Sequence, residues 1–209
     1  MVETVSPLVC CSTGRFVQWD LMETLLSILV GIGLSAACGF RVFVPLLVVG
    51  IASRTGHLRL SSGFEWMGSD IALIAFAAAT ALEIAGYYIP WVDNLLDALA
   101  SPAAVIAGTL VTASLATDMS PFLRWTLAAI AGGGIAGLVQ GATVISRGAS
   151  SAGTGGLANP ILATAELGGS LLTSILSIFM PVLVVLLIGA LLSSAGWKFF
   201  QTRAKRPAV

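Results

Sequence analysis

Residues 160–197 carry a single charge, Glu166. Wound as one helix, they would reach about 57 Å at ~1.5 Å per residue, roughly twice the ~30 Å hydrocarbon core of a bilayer. No polar face is available to make such a rod soluble. The stretch must therefore cross the membrane, break and cross again. Met180-Pro181 is the expected break, because proline removes a helical donor and its ring clashes with the preceding turn. Segment 21–53 poses the same problem, with Arg41 and Pro45 marking its break. Residues 42–53 fall short of the ~20 that a spanning helix needs, so they are expected to be re-entrant or interfacial.

The remaining apolar segments are 70–90, 102–117 and 121–146. Between them, 91–100 places Asp93 and Asp97 on one helical face and leucines on another, as expected of an interfacial turn or two. A Gly/Ser/Ala loop is expected over 147–159. The fold class is thus all-α integral membrane, with about six transmembrane helices. Composition agrees: charged residues are 10% of the chain and apolar ones 57%, against about 25% charged in an ordinary soluble domain. The zero net charge offers no field for nucleic acid. Residues 1–21 lack a signal peptide's apolar core and are expected to be a disordered extension. Residues 22–197 then form one polytopic domain. The tail 198–209 carries Lys198, Arg203, Lys205 and Arg206 without an acid, which predicts a cytoplasmic carboxyl terminus in an inner cell membrane.

Small residues recur every fourth position in two places: Ser27, Gly31, Ser35 and Gly39 before Arg41, and Ala129, Gly133, Gly137 and Gly141 before Arg147. Such stripes let helices approach closely in lipid, within one chain or between copies, so a homo-oligomer stays open. A shift of 106 residues superposes the two stripes and both arginines. Each half then continues to a helix with Thr-Ala and an intramembrane acid, Glu83 or Glu166. That pattern predicts a 3+3 inverted repeat, a transporter architecture whose sites lie at the repeat interface.

Glu83 and Glu166 are the main candidates for chemistry, since a carboxylate inside a span must be paired, protonated or wet. They fit a proton or cation pathway, or equally a structural pairing with Arg41 or Arg147. Those arginines can grip an anionic group or extend to the interface. Tyr87, with Tyr88, Pro90 and Trp91, has the composition of an interfacial aromatic belt. Asp93 and Asp97 offer oxygen ligands to a hard cation or are solvated acids. Asn159 before Pro160 suits a helix start, and the glycine-rich loop before it suits either a connector or a substrate-facing segment. The lone histidine, His57, sits in a polar loop. Neither a metal site nor a cofactor is expected, and an enzyme is not the expected class.

The strings GLSAACGFRVFVPLL (33–47), ALEIAGYYIPWVDNLLD (81–97) and GTGGLANP (153–160) resemble a bacterial multi-pass membrane family catalogued only as a domain of unknown function. The resemblance covers roughly Met22 to Trp197. It implies a polytopic inner-membrane protein and brings no activity or site residue with it. The residues themselves favour transport or a channel-like role for a small solute or ion, with the lipid bilayer as surroundings. The rivals are a scaffold or assembly partner packing through its glycine stripes, and a lipid-binding or lipid-moving protein.

Overall fold

The computed structural model describes residues 13–89 and 92–204, and all regular structure among them is helical. In chain order the helices are α1 (Thr13–Phe40), α2 (Phe43–Arg54), α3 (Asp70–Tyr87), α4 (Val92–Leu115), α5 (Pro121–Leu127), α6 (Gly134–Thr154), α7 (Asn159–Phe179) and α8 (Pro181–Ala204). A π-helical turn, Ala128–Gly133, joins α5 to α6 in one rod. Five helical stretches are long and apolar enough to span a bilayer: Met22–Phe40, Asp70–Tyr87, Leu95–Leu115, Pro121–Thr154 and Asn159–Phe179. The apolar part of α8, Pro181–Ser194, lies below that length within the described residues, as does α2.

Both expected breaks are present. Met180 separates α7 from α8, and Arg41-Val42 separates α1 from α2, with Pro45 in the first turn of α2, where a missing N–H costs nothing. Three boundaries differ from expectation. The first helix begins at Thr13 rather than near Met22, because nothing after Gly14 interrupts it; residues 1–12 lie outside the described residues. Residues 92–115 form one helix through Pro102 rather than an interfacial turn followed by a span. Ala100, Ala104, Ala107 and Val111 make a continuous buried face across the proline, and that packing outweighs one lost backbone bond. The third difference is at 147–159, where α6 runs on to Thr154. Gly155 and Gly156, at φ 63° and 87°, then end it in the left-handed region that glycine tolerates best.

The contacts fix the direction of every helix. Arg54 of α2 pairs with Asp70 of α3, Ser61 N–H donates to Ser114 O of α4, Arg124 of α5 reaches Ser61, and His57 packs edge-on against Phe179 of α7. These contacts gather around the connection 55–69 and define one end of the bundle, the loop end. α1 packs antiparallel to α4, with Gly31 against Thr112 and Ser35 Oγ donating to Gly108 O at 2.8 Å. The α5–α6 rod is also antiparallel to α4, with Gly132 against Thr112, Ala136 against Gly108, and Arg147 beside Asp97. α1 and α6 therefore run in the same direction. That overturns the inverted repeat, which needs the two stripe-bearing helices to oppose each other.

The stripes are used inside the chain. Gly31, Ser35 and Gly39 seat α1 on α4 and α6. On the rod the buried small residues are Ala128, Gly132, Gly133 and Ala136, so the packing face is turned by about one residue from the Ala129 stripe. Gly133 still meets Thr109 and Gly137 meets Val105, whereas Gly141 faces open space. Hydroxyls add interhelical bonds that lipid cannot replace. Ser35 and Thr112 hydroxyls lie 2.7 Å apart, and Ser170 Oγ donates to Ala37 O. Outward positions are strongly apolar, among them Ile71, Leu82, Ile161 and Leu186. Such a surface belongs in hydrocarbon rather than water.

Candidate functional site

Opposite the loop end, α1 stops at Arg41, α3 nears its end, α4 begins, and α6 and α7 meet. Among the described residues five charged side chains from these helices converge there around Tyr87. The Arg41 guanidinium carbon lies 3.8 Å from the Tyr87 ring centroid and that of Arg147 lies 4.1 Å from it. Two guanidinium groups this close cannot share one face, so the ring is sandwiched between them. Each gains cation–π attraction from the ring, which also separates like charges. Tyr87 is 5% exposed, which corrects its expected place in an interfacial belt. Tyr88 is the exposed one, and its hydroxyl lies 2.8 Å from Thr164 Oγ1.

Glu166 receives Arg147 side-on, through Nε at 3.0 Å and through Nη2. This planar two-point pairing is the strong geometry for guanidinium and carboxylate. Arg41 Nη2 stands 3.9 Å from the same Glu166 and donates to Ala163 O at 2.8 Å. Asp97 Oδ1 lies 3.6 Å from Arg147 Nη1. Asp97 thus answers an arginine; the side chain of Asp93, its partner in the expected cation pair, lies outside the described residues. Asn159 is the first residue of α7 rather than its cap, and its Nδ2 donates to Ser151 Oγ at 3.2 Å, which ties α7 to α6.

Glu83 has a role the sequence did not suggest. Its carboxylate accepts from the backbone N–H of Val42 at 2.8 Å and of Phe43 at 3.1 Å. α2 starts deep in the protein after Val42, which has no capping side chain, so its first donors need an acceptor from elsewhere. Glu83 supplies it from α3, with the helix dipole adding attraction. A valine at a buried helix start was the available signal.

The group lies inside the bundle. Glu83 is about 20 Å along α3 from Asp70, and Glu166 about 20 Å along α7 from Phe179, at ~1.5 Å per residue. From Glu166 back to Asn159 is only about 10 Å. Arg41, Glu83, Arg147 and Glu166 are all buried. Among the described residues two guanidinium groups face three carboxylates, an excess of one negative charge when all are ionised. Arg41 Nε and Nη1 are buried with no hydrogen-bond acceptor among the described residues.

Three cavities reach this group from different sides. One of about 420 Å³, between α3 and α4, has Glu83 and Tyr87 in an otherwise apolar lining. A second of about 270 Å³ brings Leu162, Leu191 and Phe40 to Glu166. The third, about 370 Å³, is the most polar, with Asp97, Ser101, Arg147 and Ser151 in its wall. Among the described residues no cluster of histidine, cysteine or carboxylate side chains suits a metal ion.

Helix content, five span-length apolar helices and a lipid-facing exterior around a buried ionic group define an all-α, multi-pass membrane protein. The chain belongs to the family described as Domain of unknown function (DUF4126), whose profile matches residues 28–200. No curated protein and no solved structure matches the chain.

Proposed function

We propose that the protein moves a small ion or solute across its membrane, coupled to a proton or small cation taken up by the buried carboxylates. The observation that carries this is the three-to-two excess of carboxylates over guanidinium groups around Tyr87 among the described residues. An uncompensated charge inside a bilayer is expensive, so the odd carboxylate binds a proton or a cation. The unmatched Arg41 donors point the same way, because a water accompanying the ion would give them an acceptor. Cavities reaching Glu83, Glu166 and Asp97 from separate sides suit passage more than a purely structural ion pair.

Glu166 held by Arg147 and Glu83 capping α2 are also the contacts of a rigid strut. The two readings part in proteoliposomes. Proton flux measured with a trapped pH dye should fall to the empty-vesicle level in Glu166→Gln and in Asp97→Asn. The second change leaves two acids for two arginines among the described residues. Flux equal to wild type in both variants, or no flux in the wild type, overturns the proposal. The assembly reading cannot draw on the first stripe, since α4 and α6 already occupy Gly31, Ser35 and Gly39.

A further inference from the structure

We infer that the cavity between α3 and α4 takes a lipophilic organic monocation from the bilayer, with its charge at Glu83 and its apolar body among the surrounding side chains. This rests on the transport reading and names the substrate class for it. The volume, about 420 Å³, falls within the range of roughly 300–1,000 Å³ typical of small-molecule sites. The cavity lies on the flank of the bundle, where Leu82 and Leu99 belong both to its lining and to the lipid-facing surface, at 73% and 61% exposure. A ligand can therefore enter sideways from hydrocarbon.

Charge selects the occupant. Among the described residues of that lining Glu83 is the one that carries a charge, and none is basic. Its carboxylate gives two acceptor sites to the Val42 and Phe43 N–H groups, and about two more remain for a ligand. An anion would meet an excess of negative charge. A neutral molecule would leave that excess uncorrected, and a hydrated metal ion would find too few oxygens. A monovalent cation with an apolar body meets both requirements. The neighbouring cavity at Glu166 is smaller, about 270 Å³, and its carboxylate is already held on two atoms by Arg147. If a proton fills the excess charge in the resting protein, the arriving cation displaces it. The O–H bond breaks, the carboxylate keeps the electron pair, and one proton leaves to water for each cation bound.

The test uses the full chain in nanodiscs with tetraphenylphosphonium as probe and tetraphenylborate, of the same shape and opposite charge, as control; empty discs correct for partition into lipid. Saturable phosphonium binding, release of about one proton per cation into weak buffer, and no saturable borate binding are expected. Glu83→Gln should weaken binding at least tenfold. Ala103→Phe, which fills the cavity without touching a charge, should do the same and decides the matter if the first variant does not fold. No saturable phosphonium binding, equal binding of the borate, or wild-type affinity in Ala103→Phe overturns the inference. Flux abolished by Asp97→Asn in a protein that binds no phosphonium sinks this inference and leaves the transport reading standing. Phosphonium binding without any flux does the reverse.

Discussion

At Gly39 α1 lies tightly against α6, and a single methyl there tests the packing. A Cβ on Gly39 would lie 2.6 Å from the backbone oxygen of Ala136 and 2.6 Å from Val139 Cβ. Neither atom is the free end of a flexible side chain. To restore an ordinary contact of 3.4 Å the two helices must part by roughly 0.8 Å. Overpacking of this kind costs about 1–3 kcal/mol. Gly141, one of the stripe residues on the same rod, has nothing within 4 Å of its would-be Cβ, so Gly141→Ala should stay within about 0.5 kcal/mol of wild type. The assay is reversible unfolding in mixed detergent micelles, followed by tryptophan fluorescence. Gly39→Ala should move the midpoint toward lower denaturant while Gly141→Ala leaves it in place. Because Arg41 follows two residues later, the same separation should disturb its seat on Tyr87 and reduce flux. Equal midpoints for the two variants would refute the assignment of Gly39 to a tight crossing.

Removing the ring in Tyr87→Leu should destabilise by about 1–3 kcal/mol, as two cation–π contacts are lost, whereas Tyr87→Phe keeps the ring and should unfold near the wild-type midpoint. Glu166→Gln strips Arg147 of its two-point partner and should cost about 3 kcal/mol, the lower end of the range for a broken buried pair, since Asp97 remains beside the guanidinium. Arg54→Ala breaks only an exposed pair with Asp70 and should shift stability by no more than about 1 kcal/mol, less at high salt.

The helical class and the breaks at Arg41 and Met180 were legible because they follow from bilayer thickness and from proline, both local and strong. Glu83, Glu166, Arg41 and Arg147 stand out in the sequence too, since a charge in an apolar segment is costly, and the structure buries all four. Their partners were not legible. Glu83 meets Val42 across 41 positions of chain, and Arg41 reaches Ala163 across 122; no local pattern encodes such contacts. Tyr87 was misplaced because its neighbours have an interfacial composition and only the tertiary fold separates it from Tyr88. The inverted repeat failed for a related reason. Small residues at fourfold spacing mark close packing but carry no information about helix direction, and Gly31 of one stripe meets the same partner, α4, as Gly133 and Gly137 of the other.

The π-helical turn at Ala128–Gly133 has a consequence for which length changes the rod tolerates. It takes up one residue more than a regular helix would use. A rod of plain α-helix with the same residues would be rotated by about 100° between its two ends, so that with Arg124 docked on Ser61, Arg147 would swing away from the tyrosine. Homologues one residue shorter within this turn should therefore keep both anchors.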